Sequence, residues 1–198
     1  RRVFTAQGSA NVLHLACHMG RGGILLRRGL SWTTAVDLSQ LKLKAEILVC
    51  TGCSAGRLTP ELSNEFMGVV RQLMVVTGAS TTVLSLDPVP DAAGIVFADL
   101  LFGAMTGKEP SLGWGTRTPG GALPVGTAVE WARCRMGELD TLDIAPLIEG
   151  LPADGRSLRD ATAEVSRELP PLDPADPRWR DSWFVVGDPS ISLTRRLA

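Results

Sequence analysis

Two short apolar runs, Val12–Cys17 and Ile47–Thr51, most narrowly constrain what this chain can fold into. Each has the length of a single strand, and neither alternates polar with apolar residues, which suits a strand covered on both faces. Ile24–Leu26, Thr81–Leu86 and Trp183–Val186 read the same way. Helical patterns lie between them. Thr59 and Pro60 form a cap and first-turn pair; Leu62, Phe66, Val69, Val70, Leu73 and Val76 follow at helical intervals, and Gly78 is placed for a left-handed C-terminal cap. Further helices are predicted from Asp91 to about Met105, over Gly126–Met136 and over Ser157–Leu169. Alternating strands and helices predict an α/β fold with a mostly parallel central sheet flanked by helices and active groups at the strands' carboxyl ends. Glu109–Gly121 reads as a surface loop, and Pro170–Pro177 as an extended connector before the last strand. A sheet starting at Val12 leaves an open edge for another segment to cover. The stretch Phe4–Gln7 lies too close to that strand for a crossover helix, so it is either not a strand of the sheet or separated from it by missing residues.

The 198 residues suit a single domain spanning 1–198. Lys plus Arg number 20 and Asp plus Glu 21, for a net charge of −1, which gives no basic excess for nucleic acid or an anionic membrane. The longest apolar stretches, Val69–Val76 and Ile95–Met105, carry Arg71 and Asp99 and fall short of the roughly 18 uninterrupted residues of a membrane span. Arg1-Arg2-Val3-Phe4 shows neither an initiator Met nor a signal pattern, so a fragment, a processed subunit or the ordered part of a longer protein is expected, its N-terminal part missing. Four cysteines (Cys17, Cys50, Cys53, Cys134) are too few for a disulfide framework and predict reduced thiols and a cytoplasmic location. Abundant Ala, Gly, Arg and Pro with few Lys and no Tyr associate with a GC-rich bacterial genome, by correlation rather than physics.

The chemistry sits at the ends of the two runs. The first ends at His18 and the second at Cys53, which is surrounded by Gly52, Ser54, Ala55 and Gly56. A thiol needs a lowered pKa or a neighbouring base to attack a carbonyl, and a histidine can take its proton and later return it to a leaving amine. Small residues leave room for a substrate backbone and let the Cys53 amide face a developing oxyanion, together with an amide just after His18, from Met19 or Gly20. The plainer alternative makes Cys53 a small core residue and His18 a loop-end histidine. Cys50-Thr51-Gly52-Cys53 also spells a C-x-x-C, open to redox or zinc chemistry, although Cys50 falls inside the strand run and is expected to be buried. His14, four residues before His18, would share its strand face and is read as a buried histidine supporting the sheet. Cys17 and Cys134 are read as core. Trp32, Trp131 and Trp179 are read as packing, and Trp114, in the Gly-rich loop, as a residue to watch.

His14-Leu15-Ala16-Cys17-His18 resembles the H-x-A-C-H-G strand of CHAT-domain peptidases, bacterial relatives of caspases and separases. Leu38–Val49 resembles the segment leading to the nucleophile strand. Gly52-Cys53-Ser54-Ala55-Gly56 is similar to the family's S-A-C-x-x-G and closer still to the separase G-C-S-S-G. Gly78–Asp91 resembles G-A-x-x-V-x-x-S-L-W-P-V-x-D, and Trp183–Asp188 the closing W-x-x-F-V-x-x-G-D. The resemblance runs from about residue 10 to 190. It implies a caspase-like α/β sandwich, of which this chain is the catalytic C-terminal part, with His18 and Cys53 as the dyad. It further implies Met19, Gly20 and Cys53 as oxyanion amides, and Ser85, Asp87 and Asp91 beside the substrate. Three departures stand out: Met19 precedes Gly20 where the family has Gly directly after the histidine, Asp87 replaces a Trp, and the early strands are short or absent.

An acidic Asp87 or Asp91 would favour Arg or Lys at P1 through a charge-assisted hydrogen bond. A hydrophobic P1 stays open, and either carboxylate can instead cap the following helix. The resemblance thus implies a cysteine endopeptidase acting on a protein substrate in bacterial defence or regulated death, needing no metal or organic cofactor. An activating region or partner, such as helical repeats, is also implied. The alternatives are a non-catalytic interaction scaffold and a C-x-x-C redox or zinc module.

Overall fold

A computed structural model describes residues 7–16, 18–20, 23–25, 32–33, 42–51, 68–87, 89–110, 119–139, 173 and 175–193. In chain order the elements are β1 (Gln7–Leu15), β2 (His18–Gly20), β3 (Gly23–Leu25), β4 (Trp32–Thr33), β5 (Lys42–Cys50), α1 (Gly68–Thr77) and β6 (Thr81–Ser85), then α2 (Asp91–Thr106), α3 (Val125–Met136), α4 (Pro177–Arg180) and β7 (Trp183–Gly187). The principal sheet has the order β1-β5-β6-β7. β1 and β6 both run parallel to β5, and β7 closes the far side antiparallel to β6. This is the expected α/β architecture, mixed but mostly parallel.

Both faces of this sheet are covered, which is why its central strands need no polar alternation. On one face Ile47, Val49, Val83 and Trp183 pack beneath α2 and α3, with Phe97, Leu100, Leu101, Val129 and Met136 in the same core. On the other, Leu48, Cys50 and Leu84 pack with Leu73 of α1 and with Ala79. β6 lies in the middle and is buried at every position. α2 is buried on nearly every side, Ile95 being its exposed large hydrophobic residue. α1 ends as expected at Gly78, whose φ of 70° is left-handed, and Ala79 N–H donates to the Met74 carbonyl at 3.1 Å.

Several expectations shift. β1 reaches back to Gln7 and β5 to Lys42, because among the described residues the first half of each pairs with the other: Gln7↔Lys42 through Ala10↔Ala45 precede the start of β6, which joins β5 from Ile47↔Thr81. That half of β5 alternates, Lys44 exposed and Ala45 buried, as a strand does where one face meets solvent. Gln7 therefore belongs to β1 itself, and β1 is an edge strand of this sheet among the described residues. The strand expected at Ile24–Leu26 is observed at Gly23–Leu25 and belongs to a second, antiparallel sheet, β2-β3-β4, rather than to the parallel one. The connector before the last strand is not wholly extended: Asp176 caps α4 by accepting from Arg178 N–H at 2.9 Å, with Pro177 in the first turn. Cys134 is exposed, contrary to the core reading, because α3 turns Val125, Ala128, Val129, Ala132 and Met136 inward and Cys134 falls off that stripe. Trp131 and Trp179 pack against the core as read, while Trp114, Cys17 and the helix expected over Ser157–Leu169 lie outside the described residues.

One electrostatic clasp ties α3 to the α4 region. Asp181 accepts from Arg180 Nε at 2.8 Å and from Arg133 at 3.3 Å, and these hydrogen bonds lower its pKa to about 2. A carboxylate whose folded-state pKa is depressed stabilises the fold above its ordinary pKa near 3.8 and loses that contribution as pH falls toward about 2. Asp181→Asn should therefore lower the melting temperature slightly at pH 7. The gap to the parent should close as thermal scans are taken down to about pH 2, and shrink in high salt, since the groups are solvent-exposed.

Candidate active site

The parallel pairing of β1 with β5 sets the geometry. Leu15 is the register partner of Cys50, and the ladder runs one step further, with Thr51 N–H donating to the Leu15 carbonyl at 3.1 Å. His18 lies three residues beyond Leu15, and Cys53 three residues beyond Cys50. Side-by-side carboxyl ends of parallel strands are where an α/β sheet collects its reactive groups.

His18 does not simply end the first strand, as the sequence suggested. β1 stops at Leu15, and His18 opens β2, where it pairs with Leu25; Met19 pairs with Ile24 and Gly20 with Gly23. His14 and His18 therefore do not share one strand face. Met19 and Gly20, the candidate oxyanion residues, both lie within this short hairpin ladder. Cys53 itself lies outside the described residues.

At the end of β6, Ser85 is completely buried, and its hydroxyl donates to the backbone carbonyl of Asp87 at 2.6 Å. Leu86 N–H donates to the Ser182 carbonyl at 3.1 Å, so the turn is held from both sides. Asp87 is exposed at its tip. Ser85 thus shapes the backbone that carries Asp87, and its hydroxyl is already engaged. Asp91 is the first residue of α2, whose N-cap is Pro90, without a side-chain cap. The capping position suggested for Asp91 is therefore one residue off.

His14 was read as buried and is instead exposed on the edge strand, although its ring is partly covered. Its Nε2 lies 2.8 Å from Thr51 Oγ1, and its ring meets Phe102 edge-on at 5.2 Å between centroids. Partial burial lowers its pKa, which favours the neutral imidazole. Thr51 was not singled out from sequence; its position directly ahead of Gly52-Cys53 was the available signal. Cys50 is fully buried on the α1 face, as its place in the strand run predicted. No helix among the described residues is long and apolar enough to cross a membrane.

No curated protein and no solved structure matches this chain. The family model described as CHAT domain does match, over residues 1–112, more than half of the chain. That stretch takes in β1 through α2, and with them His18, Cys53 and the turn at Asp87. The strand ends assembled here are thus those of a caspase-like, peptidase-related fold, and the chain belongs to the CHAT-domain family.

Proposed function

We propose that this chain is a cysteine endopeptidase in which Cys53 is the nucleophile and His18 the acid–base. The observation that carries this reading is the Leu15↔Cys50 register, which starts the path to each residue from neighbouring strand ends. His18 takes the thiol proton, and the thiolate attacks the scissile carbonyl. The tetrahedral oxyanion is held by backbone amides of Cys53 and of Met19 or Gly20. Collapse expels the amine, protonated by His18, and leaves a thioacyl enzyme that water hydrolyses. These steps require neither a metal nor an organic cofactor.

The substrate is a protein, and P1 is Arg or Lys, met by the exposed Asp87 carboxylate at the end of β6, with Asp91 nearby in sequence. Ser85 acts indirectly, by fixing the Asp87 backbone. The reading includes a cytoplasmic location, drawn from the few cysteines, and, from the family resemblance, a role in bacterial defence or regulated death under control of an activating region or partner. The Asp at 87 and the Met at 19, both departures from the family pattern, favour one other reading, a caspase-like scaffold that binds without cleaving.

A mixed peptide library separates these readings. The chain should cleave after Arg or Lys, Cys53→Ala should abolish turnover, and Asp87→Asn should lose the basic preference by about tenfold or more. Cleavage after apolar residues, unchanged in Asp87→Asn, would remove Asp87 from the specificity pocket. Equal products from parent and Cys53→Ala would end the peptidase reading.

A further inference from the structure

We propose that His14 and Thr51 are a positioning pair for the Cys53 thiol: hydrogen-bonded across β1 and β5, they fix the point at which β5 gives way to Gly52 and Cys53. This rests on the peptidase reading above.

Three independent contacts converge on Thr51. Its side chain is joined to His14 Nε2 at 2.8 Å, and its amide to the Leu15 carbonyl at 3.1 Å. Its carbonyl lies beneath α2 at Gly94, where an added Cβ would come within 3.2 Å of it. His14 is in turn placed by Phe102 of the same helix. The residue two positions before the nucleophile is therefore held by the neighbouring strand and by the covering helix together. The strands are already joined through the His14↔Val49 and Leu15↔Cys50 register, to which this contact adds a side-chain link one residue further on.

A reacting group displaced by about 1 Å can lose about a hundredfold in rate. A neutral imidazole meeting a hydroxyl gives that link a fixed direction without adding a charge. Burial favours that neutral form of His14.

The test follows alkylation of each cysteine by iodoacetamide, in which the thiolate displaces iodide, with modified peptides quantified by mass spectrometry. In the parent protein Cys53 should react faster at pH 7 than Cys134, which is exposed and serves as internal reference. Thr51→Val keeps the side-chain shape, removes the hydroxyl, and should slow Cys53 by about tenfold with Cys134 unchanged. Thr51→Ser should recover most of the lost rate. His14→Phe, at an exposed position, should match Thr51→Val, and the double variant should lose no more than either alone. An unaltered Cys53 rate in Thr51→Val or His14→Phe would overturn the pairing. Failure of Thr51→Ser to recover the rate would do so too, assigning the effect to packing. Should parent Cys53 react no faster than Cys134, the activated nucleophile itself is refuted, and the positioning role falls with it.

Discussion

Gly187→Ala is expected to destabilise the protein by about 4 kcal/mol, lowering the melting temperature by about 10 °C. Gly187 ends β7 at a φ of 101°, a conformation that side chains rarely adopt. A Cβ placed there would stand 2.0 Å from the Ser80 carbonyl oxygen and 3.0 Å from its carbon. Neither partner can yield. That carbonyl already accepts from Asp188 N–H at 3.2 Å, and the next residue, Thr81, donates its hydroxyl to the Asp188 carbonyl at 2.6 Å. Gly120 provides the contrast: its φ of 71° is equally left-handed, but nothing lies within 4 Å of the added Cβ. Gly120→Ala should cost only the backbone strain, about 1 kcal/mol. Urea unfolding of the two variants separates clash from strain. A Gly187→Ala protein within 1 kcal/mol of Gly120→Ala would mean that β7 does not approach Ser80 this closely.

The second large loss is expected from Trp183→Ala, about 4 kcal/mol, within the range for deleting a buried aromatic side chain. Trp183 is 1% exposed and stacks on Phe97 of α2, with ring planes 2° apart and centroids at 4.0 Å. It is also the register partner of Ser85 on β6, so one side chain joins the last strand, the central strand and the covering helix. Its indole Nε1 is buried without a hydrogen-bond partner among the described residues. Trp183→Phe forfeits some contact area and also removes that orphaned donor, so it should cost far less than alanine. Calorimetry of the two variants measures this, and equal losses would mean that the ring phenylalanine retains contributes nothing, against a stabilising stack on Phe97.

How much was legible in the sequence follows from how many neighbours each segment has. The central runs at Ile47–Thr51 and Thr81–Leu86 are continuous because partners flank them on both sides and layers cover both faces, and their boundaries hold to within a residue or two at the ends flanked by such partners. The early halves of β1 and β5 were missed because they lack a continuous apolar run: Gly8-Ser9 is small and polar, and Lys42-Leu43-Lys44-Ala45 alternates. The split between β1 and β2 was invisible to hydropathy. Val12 to His18 reads as one apolar unit, yet beyond Leu15 the chain leaves the β5 ladder and pairs with β3 instead. Tertiary pairing, not residue preference, sets that break. In the site, the motifs named His18 and Cys53, whereas the contact between His14 and Thr51 joins residues 37 apart and depends on a register that no local pattern encodes.

The same topology bears on how the chain comes into being. Thr81 waits for Asp188, 107 positions downstream, before its hydroxyl finds a partner. While a ribosome is still making that interval, β6 has β5 beside it but a bare second edge, and Phe97 lacks the ring it will stack on. Long-range pairings of this kind are the slow, aggregation-exposed step of folding. A nascent or prematurely terminated product that stops short of β7 would present a sticky, uncapped strand to its surroundings. Arrival of the last strand closes that edge of β6 and seats Trp183 on Phe97.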